Sequence, residues 1–188
     1  MATRRVDPER RDRIIAAATS LIAEVGVAGT SHRKVAARAD VPLGSMTYHF
    51  ENMDELLREV FTRFSITISD RFEKRLFAAT TPDEARRAVA DLVHQDLADS
   101  PRDLVLTHEL YTLAARDPAY RQLTRSWMHR SRNALEQHFD PLTARQVDAL
   151  IEGLVIHRAL ETEPHDRALT VDAIARLTAG TGERLTES

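Results

Sequence analysis

Side chains that can hydrogen-bond to a polyanion are concentrated between residues 31 and 49. Ser31, His32 and Arg33 stand together where an apolar helical pattern begins. An arginine there can donate two hydrogen bonds to one guanine, and serine or histidine at a helix N-terminus can bind a phosphate. A second group of candidate contact residues follows after a short break; its members are Leu43, Gly44, Ser45, Thr47, Tyr48 and His49.

Two short helices must position these groups, one from about Ser31 to Ala39 and one from about Leu43 to His49. Small side chains on the first helix allow the two helices to cross closely, and Asp40 tolerates the unusual backbone of a tight turn. Pro42 ends one helix and permits the next to begin. The pattern has the form of a helix-turn-helix, in which the second helix lies in the major groove of DNA.

Each residue of the second helix then has an expected role. Leu43 can touch a thymine methyl group, Gly44 permits close approach, and Ser45 and Thr47 offer hydroxyls to bases or phosphates. Tyr48 and His49 are expected to reach phosphates, with Met46 and Phe50 turned into the small core. Spacing alone leaves an alternative open, a plain helical hairpin with aromatic core residues and a solvated arginine face.

The residues around the turn also carry a family pattern. Thr30-Ser31 precede the first helix, Val41 lies in the turn, Gly44 begins the second helix and Tyr48-His49-Phe50 end it. With this set, the run from Gly26 to Leu57 closely resembles the DNA-binding domain of TetR family transcription regulators. The resemblance implies a regulator with a C-terminal effector pocket among its fourth to seventh helices, and a dimer formed by its last two long helices.

Two positions depart from the family pattern. Asp40 replaces the usual glycine of the turn, and Met53 replaces the usual lysine that clamps a phosphate. The free N–H groups at the start of the fourth helix, near Asn52, are still expected to attract a phosphate. Within the family, residues 41–48, 126–128 and 150–153 are similar to those of an enterobacterial biofilm regulator.

Helical spacing recurs along the whole chain and convincing strand alternation is lacking, so the sequence predicts an all-α fold of about nine helices. Prolines that follow a capping residue mark four helix starts; the pairs are Asp7-Pro8, Thr81-Pro82, Ser100-Pro101 and Asp117-Pro118. We expect a helix-turn-helix domain over residues 1–51 and a bundle for ligand binding and dimerisation over residues 52–188.

Four side chains are candidates for lining a ligand cavity in the second part, namely Phe64, His108, Tyr111 and Trp127. Phe64 belongs to an apolar helical face that continues through Ile68 and Phe72, and such a face is more often plain core. A polar group such as His108 that is turned inward needs a partner or a ligand. We expect a hydrophobic or aromatic effector.

The helix predicted from Ala144 to Glu161 is apolar over more than one side, and Gly153 lets another helix approach closely. This pattern favours a homodimer through a four-helix bundle, with internal burial alone as the alternative.

Composition narrows the function. Residues 1–50 carry eight Lys/Arg and five Asp/Glu, whereas the remainder carries 18 and 24, so any polyanion is met by the N-terminal part. The chain has no cysteine, no membrane-length apolar run and no signal-peptide pattern, and we expect a cytoplasmic protein. Phosphate-loop, nucleophile-elbow and metal-ligand spacings are missing, so neither an enzyme nor a metal or other cofactor is expected.

Together these patterns predict a ligand-responsive repressor that binds a pseudo-palindromic double-stranded operator as a homodimer. The alternative class is a helical small-molecule-binding or adaptor protein without DNA affinity, and an enzyme that uses the C-terminal pocket ranks third.

Overall fold

The computed structural model describes residues 9–96, 100–163 and 165–179. These residues form nine α-helices and no strand. The predicted all-α class is confirmed. The helices are α1 (Arg10–Val25), α2 (His32–Arg38), α3 (Gly44–His49), α4 (Met53–Phe77), α5 (Pro82–Asp91), α6 (Pro101–Arg116), α7 (Pro118–Leu135), α8 (Pro141–Leu160) and α9 (Arg167–Thr178). A π-helical turn, Leu92–Asp96, extends α5.

Side-chain caps begin the helices where the sequence predicted them. Thr81, Ser100 and Asp117 each accept a hydrogen bond from a backbone N–H in the first turn of α5, α6 and α7. A proline follows each cap, where its missing N–H leaves no bond unmade. The predicted start at Asp7-Pro8 lies outside the described residues.

Two helices begin earlier than the apolar pattern indicated. Asp140 caps α8 by accepting from the N–H groups of Leu142 and Thr143, both at 3.1 Å, so α8 starts at Pro141 instead of Ala144. Asp166 accepts from the N–H of Ala168 at 2.9 Å, so α9 starts at Arg167 instead of Val171. In both cases the cap lies several residues before the first buried side chain.

The first apolar core crosses the predicted boundary near Asn52. It joins residues of α1–α3, such as Ile14, Val35 and Met46, to residues of α4, α6 and α7. Leu56, Phe61, Leu110 and Tyr120 in that second set are all at most 1% exposed. The helix-turn-helix is therefore packed onto the rest of the molecule through one shared core.

A second core lies at the far end of α4. Phe72 and Leu76 pack there with α5, the C-terminal part of α7, α8 and Ile174 of α9. Because α4 has 25 residues, it is about 37 Å long and contributes to both cores. Movement of this one helix can therefore reach both ends of the molecule. None of the helices in the described ranges is long and apolar enough to cross a membrane.

Candidate nucleic-acid interface and ligand cavity

The turn between α2 and α3 has the tight geometry that the sequence indicated. Asp40 has a φ of 53°, the left-handed region that aspartate tolerates better than most residues. The N–H of Val41 donates to the Ala36 carbonyl at 3.0 Å and closes the turn. Ala36 and Ala39 are buried, so the two helices cross closely over small side chains.

The outer face of α3 is open. Leu43 is 53% exposed and Tyr48 is 74% exposed, and a Cβ placed on Gly44 would meet no atom within 4 Å. Thr47 is exposed and its hydroxyl donates to the Gly44 carbonyl at 3.2 Å. His49 is half-buried beside Tyr48, with ring centroids 4.9 Å apart.

The inner face of α3 is closed. Met46 and Phe50 are buried in the first core, as predicted. Ser45 is only 5% exposed, because it occupies the same inner face as Met46. This position differs from the exposed one that the sequence predicted, so the Ser45 hydroxyl is not available to a groove.

At the start of α2, Arg33 is the most available positive side chain. It is exposed and has no hydrogen bond or ion pair with any described residue. In contrast, Arg38 donates two hydrogen bonds of 2.6 Å to Glu24, and the Lys34 amine donates to the Gly29 carbonyl at 2.6 Å. Ser31 caps the helix by accepting from the Lys34 N–H at 3.4 Å. His32 is half-buried, and its Nε2 has no partner among the described residues.

The start of α4 is less suited to phosphate than the sequence suggested. The Asn52 side chain accepts from the Glu55 N–H at 2.9 Å, and the Glu55 carboxylate accepts from the Glu51 N–H at 2.6 Å. These bonds occupy N–H groups that were expected to be free. Asp54 and Glu55 also place negative charge in the first turn, which repels a phosphate.

A cavity of about 70 Å³ lies between α4, α6, α7 and α8. Three of the four predicted lining residues face it, namely His108, Tyr111 and Trp127. The rings of Tyr111 and Trp127 lie nearly parallel, with centroids 6.0 Å apart and planes 25° apart. Much of the remaining wall is apolar; it is formed by Ile68, Phe72, Leu104, Ile151, Val155 and Ile156.

Phe64 takes a different position from the predicted one. Its ring meets Trp127 edge-on, with centroids 6.0 Å apart, but it is not part of the cavity wall. Instead it faces a groove between α1, α4 and α6. Phe64 therefore supports the aromatic wall from behind.

His108 lies at the exposed rim of the cavity. Its Nδ1 donates to the Leu104 carbonyl at 2.8 Å, because a carbonyl can only accept, so Nε2 remains available. Among the described residues, no group of three histidines and carboxylates is arranged to hold a metal ion.

Two carboxylates of α8 form the polar wall of the cavity, and the sequence interpretation missed both. Asp148 and Glu152 are one helical turn apart, and the Tyr111 hydroxyl donates to Glu152 Oε1. Burial raises the pKa of Asp148 to about 7, with a further increase from Glu152 and a decrease from Arg132. Burial also raises the pKa of Glu152. The sequence did contain a signal for these two residues, because they are acids spaced four residues apart within an otherwise apolar helix face.

Tyr120 joins α7 to the first turn of α4, close to the helix-turn-helix. Its buried hydroxyl donates to Asp54 Oδ1 at 2.7 Å, and burial raises the pKa of Tyr120. Trp127 follows on the same helix two turns later and lies on the cavity. Helix α7 therefore connects the cavity wall to the start of α4, which lies next to the reading head, that is, the helix-turn-helix formed by α2 and α3.

Ion pairs fix α1 to α4 in the same region. Arg11 pairs with Glu59 at 3.1 Å, and Arg63 pairs with Asp12 at 2.7 Å. The two pairs are linked because Arg63 also contacts Glu59 at 2.8 Å.

The sequence and the fold match known proteins. Residues 14–60 match the family described as bacterial regulatory proteins, tetR family, and residues 80–180 match the tetracyclin repressor-like C-terminal domain. The chain belongs to the TetR family of transcription regulators.

Several relatives share most of the fold. The chain is 65% identical to SCO7518 of Streptomyces coelicolor A3(2), with 92% of this chain and 99% of that one covered and a TM-score of 0.85. It is 34% identical to the multidrug binding protein EbrR in its complex with ethidium, over 90% of this chain and 99% of that one, with a TM-score of 0.74. The regulator CymR of Pseudomonas putida is 29% identical over 68% of this chain, and the chain spans 62% of the length of CymR.

Proposed function

We propose that this protein is a homodimeric, ligand-responsive repressor that binds a pseudo-palindromic operator. The exposed face of α3 and the start of α2 would read each half-site, with Arg33 directed to a base and Tyr48 and His49 to phosphates. Leu43, Gly44 and Thr47 would line the groove, and Ser31 and His32 would lie near the backbone. A protein of this function acts on chromosomal DNA, and we therefore propose a cytoplasmic location.

One observation supports the regulatory part of this proposal. Helix α4 lines the cavity and also packs against the helix-turn-helix. The Tyr120 hydroxyl of α7 donates to Asp54 Oδ1 at the start of α4, at 2.7 Å. A ligand that fits one position of α4 better than another would therefore change the spacing of the two reading heads. EbrR, a relative that binds several drugs, supports assigning the cavity to a small organic effector.

The dimer would form through α8 and α9. Leu142 and Leu160 of α8 are 65% and 67% exposed, and Leu169 of α9 is 62% exposed. A Cβ placed on Gly153 would meet no atom of the same chain within 4 Å, so this side of α8 is open to another helix. Burial of such an apolar face in a twofold four-helix bundle is favourable.

The test is DNA binding itself. Operator fragments would be selected from random duplexes with the purified protein and then titrated at two salt concentrations. A regulator should show sequence preference and an affinity that falls steeply with salt, because phosphate contacts release counterions. A protein that selects no sequence would support the adaptor alternative instead.

The finer resemblance, to the biofilm regulator RcdA, is part of this proposal and remains a prediction. It rests on the turn sequence around Pro42 and on two later segments, 126–128 and 150–153. If it is right, genes of surface attachment should lie among those that the operator controls.

A further inference from the structure

Among the described residues, the acids of the cavity have only weak positive compensation, from His108 acting on Glu152 and from Arg132 acting on Asp148. Asp148 and Glu152 form no ion pair with an arginine or lysine in the described part of the chain, and neither residue type lines the cavity there. A third acid on the wall, Asp103, is already neutralised by Arg71 at 3.0 Å. In the described ranges, the Tyr111 hydroxyl is the only side-chain group that donates to Glu152.

Burial of these carboxylates without a ligand costs free energy. A carboxylate withdrawn from water needs a positive or hydrogen-bonding partner, and Asp148 has Arg132 of α7 only at longer range. Plain core packing would place an apolar residue at this position. An anionic ligand would meet two carboxylates, and a neutral one would leave both uncompensated.

The aromatic side chains next to these acids suit positive charge as well. Tyr111 and Trp127 present nearly parallel rings, and the face of an aromatic ring attracts a cation. A delocalised charge on a flat ring loses less hydration than a compact ammonium does, which suits an apolar cavity. The enclosed space is only about 70 Å³, but the cavity opens at the exposed rim beside His108, so a compact molecule can bind partly at the rim.

We infer that the cavity binds a compact, flat organic cation in exchange for one proton, with the charge against Asp148 and Glu152 and the ring against Tyr111 and Trp127. This inference rests on the proposed ligand-responsive function of the same cavity. The balance is simple, because the cation enters, the proton held by the carboxyl pair leaves to solvent, and the cavity keeps its net charge.

Several charged or titratable groups surround the exchange. Glu152 shares α8 with Asp148, and Arg132 acts on Asp148 from α7. From α6 come Asp103, Tyr111 and His108, and His108 lowers the pKa of Glu152. α4 contributes only the apolar Ile68 and Phe72, and neither α9 nor the π-helical turn contributes a described lining residue. Because burial raises the pKa of Asp148 to about 7, about half of the Asp148 carboxyls hold a proton at neutral pH and most do at pH 6, where a cation can displace it.

Two probes with the same ring system test the charge preference. N-methylquinolinium is a permanent cation, and quinoline is neutral at pH 8. Binding to the full chain without DNA would be followed by Trp127 emission and by calorimetry. We expect the cation to bind at least about tenfold more tightly than quinoline at pH 8. Its affinity should fall about tenfold between pH 8 and pH 6, with close to one proton released to the buffer on binding at pH 6 and little at pH 8.

Two variants locate the effect. Asp148→Asn should remove the pH dependence, and Glu152→Gln should weaken binding of the cation. The affinity for quinoline should change much less in both variants, which would show that the cavity is still formed. Glu161→Gln, at the exposed residue that follows the C-terminus of α8, is the matched control and should change the binding of neither probe.

Four outcomes would each overturn the inference. They are equal affinity for the two probes, no binding of the cation, tighter binding of the anion 1-naphthoate, and a cation affinity that neither variant changes. Operator binding is measured separately. Normal operator binding without a cation preference would remove this inference and leave the repressor proposal standing, whereas a cation preference without operator binding would do the reverse.

Discussion

Arg33 is an exposed cation at the start of α2 with no partner in the described part of the chain. Its neighbour Arg38 is held by Glu24, so the two arginines differ in what they can offer to DNA. A guanidinium that forms two bonds to one guanine discriminates against other bases. We expect Arg33→Ala to cost about 1–3 kcal/mol of specific binding and to relax preference at one base position.

The measurement is titration of the selected operator and of single-base variants at fixed salt. Tyr48→Phe should weaken all these sequences more evenly, since a phosphate contact carries no base information. Arg87→Ala changes an exposed arginine on α5 and serves as the control. Unchanged base preference in Arg33→Ala would remove this residue from base reading.

The raised pKa of Asp148 leads to a separate prediction about how folding stability depends on pH. Its pKa is about 7 in the folded chain against an ordinary value of 3.8, so between these two pH values the folded state keeps a proton that the unfolded chain has released. The stabilising contribution is therefore full below about pH 4 and is lost as pH rises through about 7. One unit of pKa difference corresponds to about 1.4 kcal/mol, and partial solvent access reduces this.

Asp148→Asn should remove that dependence. We expect the stability of the variant relative to wild type to increase by about 1–2 kcal/mol between pH 5 and pH 8, as measured by urea unfolding. The exposed Asp172→Asn on α9 is a matched control and should show no such trend. Parallel pH profiles for wild type and Asp148→Asn would show that the carboxyl is ionised throughout.

At the scale of the elements, the sequence predicted helices best where the cap and the apolar pattern begin together. Thr81-Pro82, Ser100-Pro101 and Asp117-Pro118 are such places, and the predicted helix starts are confirmed. Asp140-Pro141 carries the same signal, but the apolar stripe begins later, and the predicted start was too late by about one turn.

Contacts between elements were less accessible from the sequence. Helical spacing placed Tyr111 and Trp127 on inward faces, but it could not show that Ser45 turns inward or that Phe64 lies behind Trp127. Those positions depend on which neighbouring helix covers each face. Asp148 was overlooked because a carboxylate is usually a solvated residue, and only the fold shows its burial.

The open side of α8 leads to a prediction for the dimer. Gly153 has space for a side chain within its own chain, so Gly153→Leu should keep or improve the stability of the protomer. The added side chain would hold a partner helix away, and we expect the dimer dissociation constant to rise by about tenfold or more.

Sedimentation over a concentration series measures that constant. Ala115→Leu, an exposed position on α6, is the control for added bulk. An unchanged dimer in Gly153→Leu would place the interface on another surface. Deleting residues 1–50 would be a poorer test, because the first core continues from α1–α3 into α4, α6 and α7.

At the scale of the whole molecule, the cavity and the reading head can influence each other only through packed elements. α4 belongs to both cores, and the Tyr120 hydroxyl joins α7 to Asp54 at the start of α4. Trp127 lies on the same helix as Tyr120 and on the cavity wall. If a ligand favours one arrangement of α4 and α7 and the operator favours another, the two binding events must oppose each other equally.

We expect operator DNA to weaken N-methylquinolinium binding by the same factor by which the ligand weakens operator binding. Such coupling is typically about 1–3 kcal/mol, or about 5–150-fold. Trp127 is the only tryptophan, so its emission reports ligand binding without a label, in the presence and absence of operator.

Tyr120→Phe keeps the ring packed on Phe61 but removes the hydrogen bond to Asp54. This variant should reduce the coupling while each separate affinity changes little. A ligand that quenches Trp127 with the same affinity with and without operator would show that the cavity does not regulate DNA binding. Full coupling in Tyr120→Phe would mean that the signal passes through the α4 packing alone.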